Sequence, residues 1–319
     1  VSDKVILIHN GAIGDFLNVW PSAWAIRKAL PTARLCWAGG SDRLRWLEPL
    51  GFSPCPPETR SSLDRVHAAD LWPDELKGWL SFWFVIDKVP DIATDSRCLF
   101  VKAFSDGTNS GAASHVRESY ASNLSAYGIP APDGWLEDFR RFFASGWNPG
   151  NTVLLFPGAG HPTKQWPLVQ FFILAGMLRQ AGFEPVCVAG PAELERGMVL
   201  QGMNVVVPGS LKELEELILT ARAVVGGDTG PMHLAGMLGV PGVSLFGPTS
   251  FSQWGPVGMR EVSLTLSCSP CTATCADLTC ENPCCLSAIP PEMVMKELLL
   301  AIEQNKTVFQ GPGFLERRF

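Results

Sequence analysis

No run of about 18 or more apolar residues occurs in this sequence, and a helix needs roughly that many to cross a bilayer. A transmembrane helix is therefore excluded. A basic domain or stripe is also missing. The chain carries 25 Lys and Arg against 31 Asp and Glu, for a net charge of −6. The first 147 residues hold 15 against 17, so the deficit is not confined to one half. Nucleic-acid binders show a concentrated positive footprint, and none is expected as a partner here. Charged residues make up 18% and hydrophobic ones 46%, which rules out disorder driven by low hydrophobicity. The opening Val1-Ser2-Asp3-Lys4 lacks the basic-then-apolar layout of a signal peptide. The expected location is cytoplasmic, with contact at the inner face of a membrane left open. There is no short repeat of the solenoid kind.

What is present is an alternation of strand and helix that starts twice. The 319 residues suit two domains of about 150 each. Apolar strand-like runs over 5–9 and 34–37 flank a helix-like stretch over 16–30. Further strands are expected over 82–86 and 98–101, a helix over 118–127, and mostly loop over the Pro- and Ser-rich residues 54–73. Trp147-Asn148-Pro149-Gly150-Asn151 reads as a linker. After it, strands over 152–156, 184–189, 223–225 and 243–246 alternate with helices over 168–181, 210–220, 230–238 and 291–304. Ser210 and Glu213 have the spacing of a capping box. The expected fold is α/β: two doubly wound, Rossmann-like domains, 1–148 and 149–319, facing one another across a cleft.

Four segments sit where a strand ends and a helix begins. Gly11-Ala12-Ile13-Gly14-Asp15 lacks the third glycine of a dinucleotide fingerprint. Asp15 reads either as a capping carboxylate or as a general base. In Pro157-Gly158-Ala159-Gly160-His161-Pro162-Thr163-Lys164, the lysine is either solvated or a phosphate ligand. The Gly-Lys-Ser/Thr ending of a Walker A loop is missing. Gly226-Gly227-Asp228-Thr229-Gly230-Pro231-Met232-His233 offers helix-start N–H groups at Thr229, Gly230 and Met232 to a diphosphate. His233 reads as a donor to a phosphate or sugar, or as a satisfied half-buried histidine. Phe246-Gly247-Pro248-Thr249-Ser250 follows the next strand, where Thr249 can reach a ligand.

Together these segments resemble glycosyltransferase family 9, the heptosyltransferases. The likeness covers nearly the whole chain. It is strongest in residues 11–15 with Pro21, in 157–167, in 226–235 and in 246–256. The resemblance implies a GT-B fold and an inverting, metal-independent transfer from a nucleotide-diphosphate sugar, commonly ADP-heptose. It implies a lipid-linked glycan, such as a lipopolysaccharide core, as acceptor. It makes Asp15 the catalytic base and Gly11, Ala12, Ile13 and Gly14 the acceptor-side loop. It makes Lys164, Asp228, Thr229, Gly230, Met232, His233 and Thr249 donor-binding residues, with Glu193 near the nucleoside. No cofactor is implied for catalysis, and a monomer is expected. The last helix of such a chain can return to the first domain. Another GT-B-like sugar-nucleotide enzyme such as an epimerase, or a binding protein without turnover, are the alternatives. Two departures stand out. His9-Asn10 replace the family's usual Arg or Lys followed by a small residue, and 9 of the 11 Trp lie in the first 147 residues.

Six of the ten cysteines fall between Cys268 and Cys285. Their density in a cytosolic chain points to a structural zinc or iron–sulfur site, or to free thiols and disulfides formed on isolation. The Cys268-x2-Cys271 pair has zinc-ligand spacing.

Overall fold

The computed structural model of the chain describes residues 3–69, 72–86, 88–89, 97–104, 114–145, 147–195, 197–198, 200–271, 280 and 283–309. Two compact units divide it, Val1–Asp138 and Phe139–Phe319.

The first unit runs β1 (Lys4–Ile8), α1 (Ile13–Ala29), β2 (Arg34–Ala38), β3 (Phe52–Pro54), α2 (Pro57–Ala69), β4 (Leu80–Val85), β5 (Cys98–Lys102) and α3 (Val116–Ala126). Helix α4 (Trp135–Phe143) crosses into the second unit. The strands pair in parallel in the order β3-β2-β1-β4-β5. β1 is central, and its Val5, Ile6 and Leu7 are fully buried. A continuous apolar run is what a parallel strand covered on both faces requires. Trp20, Trp37, Trp46, Trp72, Trp79 and Trp83 are buried core residues. Trp20 also donates to Trp46 O at 2.7 Å, so most of the tryptophan excess fills this unit. The 54–73 stretch is not mostly loop, because it contains α2. Pro57 occupies the helix start, where its missing N–H costs nothing. Among its described side chains, Leu63 and Val66 are the apolar ones that reach the core, which is too sparse a stripe to show as periodicity.

The second unit runs β6 (Thr152–Phe156), α5 (Leu168–Gln180), β7 (Glu184–Val188), α6 (Pro191–Glu195), β8 (Asn204–Val206), α7 (Leu211–Thr220), β9 (Ala223–Gly227) and α8 (Gly230–Leu238). It continues with β10 (Gly242–Leu245), α9 (Phe251–Trp254), β11 (Arg260–Val262), α10 (Cys284–Ser287) and α11 (Pro291–Phe309). Its parallel order is β11-β10-β9-β6-β7-β8. Ser210 caps α7 by accepting from Glu213 N at 3.2 Å, while the Glu213 carboxylate accepts from Gly209 N. α11 packs on α5 and on β9, β10 and β11. The units divide after Asp138, ahead of the linker expected over 147–151. Residues following it are bound to the second unit: Arg140 Nε donates to Met237 O at 3.2 Å, Trp147 Nε1 to Ala221 O, and Asn148 N to Leu219 O.

Both sheets place their first strand in the middle, so each has one point where strand order reverses. It lies between β1 and β4 in the first unit and between β6 and β9 in the second. Ligands of open α/β sheets bind outside the carboxyl ends of the strands at that point.

Candidate functional site

In the second unit the loops after β6 and β9 leave neighbouring strands at the reversal point, with Phe156 paired to Gly226. Lys164 ends a one-turn 3-10 helix, Pro162–Lys164, and is 8% exposed. Its ammonium is bound to Asp228 Oδ2. Thr249, carried in from the end of β10, donates to the same oxygen at 3.3 Å, and His233 Nε2 lies 3.5 Å from Oδ1. Three residues singled out in three separate segments thus converge on the carboxylate of a fourth, Asp228. Burial pushes the Asp228 carboxyl up, but the Lys164 cation and the His233 bond outweigh it and hold it well below the usual carboxylate range. Asp228 is thus an anion paired with the buried lysine.

Thr229 is the N-cap of α8, in extended backbone, and Pro231 sits in the first turn. The helix ends at Gly239, with φ 84°. The Thr229 Oγ1 is buried without a hydrogen-bond partner among the described residues. The positive end of α8, this hydroxyl and Lys164 are the features an anion needs. Met232 differs from expectation. Its N–H is bonded back to Thr229 O at 3.1 Å, and its side chain is fully buried against Gly226. That i→i+3 bond tightens the first turn and withdraws the donor. Glu193 Oε2 accepts from Gly190 N at 2.8 Å. Its carboxylate lies where a side chain at Gly158 would stand, joining the end of β7 to the turn after β6.

The cysteine segment touches the same loop. Ser269 Oγ donates to Gly247 O, Cys271 N donates to Pro248 O at 2.9 Å, and Cys285 Sγ packs over Gly247. Burial, then neighbouring thiols, push the Cys271 and Cys285 thiols up. Among the described residues no group of three or more His, Cys, Asp or Glu has the arrangement of a metal site. Cys275 lies outside the described residues.

In the first unit, Asp15 Oδ2 accepts from Ala12 N at 3.0 Å, closing the 11–15 turn onto α1. Asn18 Nδ2 donates to Gly14 O at 3.1 Å, and Asn18 Oδ1 accepts from Arg117 Nη1 at 2.9 Å. Burial pushes the Arg117 guanidinium down to about 10. Burial and then the nearby Asp15 raise the Tyr120 hydroxyl. Gly11 O accepts from Arg43 Nη1. The geometry thus adds Arg43, Arg117 and Tyr120 to the turn. Sequence reasoning passed over all three, which lie 32 or more positions away in the chain. Arg43, three residues beyond Gly40, had the plainest signal, as a basic residue just after a Gly-Gly strand end.

Residues 130–283 match the family model described as glycosyltransferase family 9 (heptosyltransferase). Lipopolysaccharide heptosyltransferase 1 of Pseudomonas aeruginosa is 27% identical, over 92% of this chain and 97% of that protein. The solved structure of E. coli ADP-heptose LPS heptosyltransferase II has a TM-score of 0.65 at 17% identity, covering 95% of this chain and 99% of that one. The iron-containing dodecameric glycosyltransferase TibC of enterotoxigenic E. coli has a TM-score of 0.58 at 13% identity, covering 97% and 77%. The structures share the GT-B fold of two parallel α/β units, and the family-model match and the heptosyltransferase relatives support this chain as a glycosyltransferase of family 9.

Proposed function

We propose that this glycosyltransferase moves heptose from ADP-heptose to a lipopolysaccharide-core or other surface-glycan acceptor, with inversion and without a metal ion. The matched relatives act as lipopolysaccharide heptosyltransferases, and the arrangement around Asp228 suits a sugar diphosphate. The first domain takes the acceptor and the second the donor. The acceptor hydroxyl loses its proton to Asp15 as its oxygen bonds to the anomeric carbon, and the bond from that carbon to the diphosphate oxygen breaks. The ADP that leaves carries the bonding electrons as negative charge. Lys164, held by Asp228, the N–H groups of Thr229 and Gly230, and the Thr229 hydroxyl take up that charge. His233 and Thr249 keep Asp228 in place, and Glu193 accepts from the nucleoside. The cations needed at the leaving group are then supplied by the chain itself. The enzyme works as a monomer on the cytoplasmic side, at the inner membrane face.

The observation that carries this reading is the convergence of Lys164, His233 and Thr249 on Asp228 beside the start of α8. Calorimetric titration with ADP, UDP and GDP in the presence of EDTA tests it. Selective binding of ADP is expected. A preference for UDP or GDP would replace the donor, and no binding of any of the three would sink the donor-site assignment.

A further inference from the structure

We propose that Arg43 reads an anionic group, a carboxylate or a phosphate, on the acceptor sugar beside the 11–15 turn; this rests on the acceptor-side reading of that turn. Arg43 stands in the 3-10 turn Ser41–Trp46, which follows β2 and Gly39-Gly40 at the carboxyl edge of the sheet. Its side chain is 16% exposed. One guanidinium nitrogen is tied to Gly11 O, but Nε is buried with no hydrogen-bond partner among the described residues. The Asp42 carboxylate lies 3.8 Å from Nε, beyond hydrogen-bond distance, and its own side chain is 55% exposed. Arg60, on the same edge, differs: it donates to Gly39 O at 3.1 Å and pairs with Asp64 at 3.3 Å.

The other neighbour of Arg43 adds no countercharge. His9 is 3% exposed, and its Nδ1 also has no partner among the described residues. Burial, then the Arg43 charge, lower its pKa to about 3, so the ring is neutral. The corner therefore holds a mostly desolvated cation and two buried polar atoms that nothing described satisfies. Leaving such groups unmatched costs stability, so native chains complete the set with water, an ion or a ligand, or keep it for function.

The location connects this cation to the proposed chemistry. A Cβ at Gly11 would stand 2.8 Å from His9 Nε2 and 3.0 Å from Asp15 Cβ. The His9 ring and the Asp15 stem thus flank one glycine, whose carbonyl Arg43 holds. A planar guanidinium with an unused donor matches a carboxylate or phosphate in two-point contact. Arg43 would fix the acceptor's orientation while Asp15 takes the proton.

The test follows the Trp37 indole N–H, which donates to Gly40 O at 2.9 Å, by NMR of the full chain. The probes are methyl glucuronide, glucose 6-phosphate and methyl glucoside. A charged probe should bind at least about tenfold more tightly than the neutral one, the scale of one charge-assisted hydrogen bond. The tighter charged probe identifies carboxylate or phosphate as the group read. Arg43→Gln should erase the difference and Arg43→Lys keep part of it, with ADP titration unchanged as a check on folding. Equal binding of charged and neutral sugars, no response to any probe, or a preference that survives in Arg43→Gln would overturn the proposal. Transfer to a lipopolysaccharide acceptor separates it from the reading beneath it. Arg43→Gln should raise the acceptor KM with the donor KM unchanged. Charged-sugar binding through Arg43 with an unchanged acceptor KM would overturn the acceptor assignment of the turn, and this proposal with it, leaving the donor site untouched.

Discussion

Lys164 and Asp228, 64 positions apart in the chain, form a buried ion pair across the two loops where the second sheet reverses its strand order. Removing one member leaves the other charged and desolvated, a change that costs about 3–5 kcal/mol in comparable buried pairs. Lys164→Met should therefore lower unfolding free energy by an amount in that range. It should also weaken ADP binding about 10- to 100-fold, the loss of one charge-assisted contact. Asp228→Asn should destabilise similarly. Lys164→Met with Asp228→Asn should cost much less than the two single changes summed, because no lone charge remains. Urea unfolding of the four proteins measures the coupling, and additive losses would show that the pair is not what holds these loops together.

The acid limb of stability should carry a signature of His9. Its folded pKa lies near 3 against an ordinary 6.5. As pH falls below about 6.5 the unfolded chain takes up a proton that the folded chain refuses, so folding weakens by up to roughly 1.4 kcal/mol per unit until the folded value is reached. Asp228 has the same sign from a lower start. Its depressed carboxyl contributes stability above the unfolded value of about 3.9, and that contribution is lost as pH falls through the folded value. Between pH 6 and 4.5 the His9 effect stands alone of the two. His9→Gln should flatten the decline there, and parallel pH–stability curves for the two proteins would rule out a buried neutral imidazole.

Gly158 is a glycine because Glu193 needs the space. A methyl group there would collide with the carboxylate that Gly190 N–H holds at 2.8 Å. Gly158→Ala should displace Glu193 and lower the affinity for ADP several-fold while sparing that for inorganic pyrophosphate. Glu193→Gln, which keeps an oxygen for Gly190, should have the smaller effect on stability. Competition of the two ligands by calorimetry reads this directly, and equal losses for both would place Glu193 at the diphosphate rather than the nucleoside.

These relationships also show what could be read before folding. Helix α8 was legible over 230–238, because Thr229 and Pro231 are local signals for a cap and a first turn. The Ser210 cap of α7 was legible for the same reason. The partnership of Lys164 with Asp228 was not, since each reads locally as an isolated charge and only the pairing of β6 with β9 brings them together. Met232 looked like a free donor because nothing in the sequence tells a 3-10 first turn from an α one. Arg43 was missed because the elements it bridges, the turn after β1 and the turn after β2, are neighbours only through strand pairing. The short edge strands β3, β8 and β11, three residues each, carry too little pattern to be seen.

Asp15 combines a structural and a proposed chemical role, and the two separate cleanly. Its carboxylate satisfies Ala12 N–H at the start of α1, a contact that costs about 0.5–2 kcal/mol to lose. Asparagine retains an oxygen for that bond but cannot accept a proton from an acceptor hydroxyl. Asp15→Asn should unfold within about 1 kcal/mol of the native chain and bind ADP unchanged. It should also lower kcat by roughly 10²–10⁴-fold, the usual worth of a positioned base. Asp15→Ala should match that loss in kcat and add the loss of stability. The separation matters because a cap whose removal merely loosens the turn would slow transfer in proportion to the unfolding free energy lost, with alanine worse than asparagine. A kcat for Asp15→Asn close to that of the native chain would reduce Asp15 to a cap and require another group to take the proton.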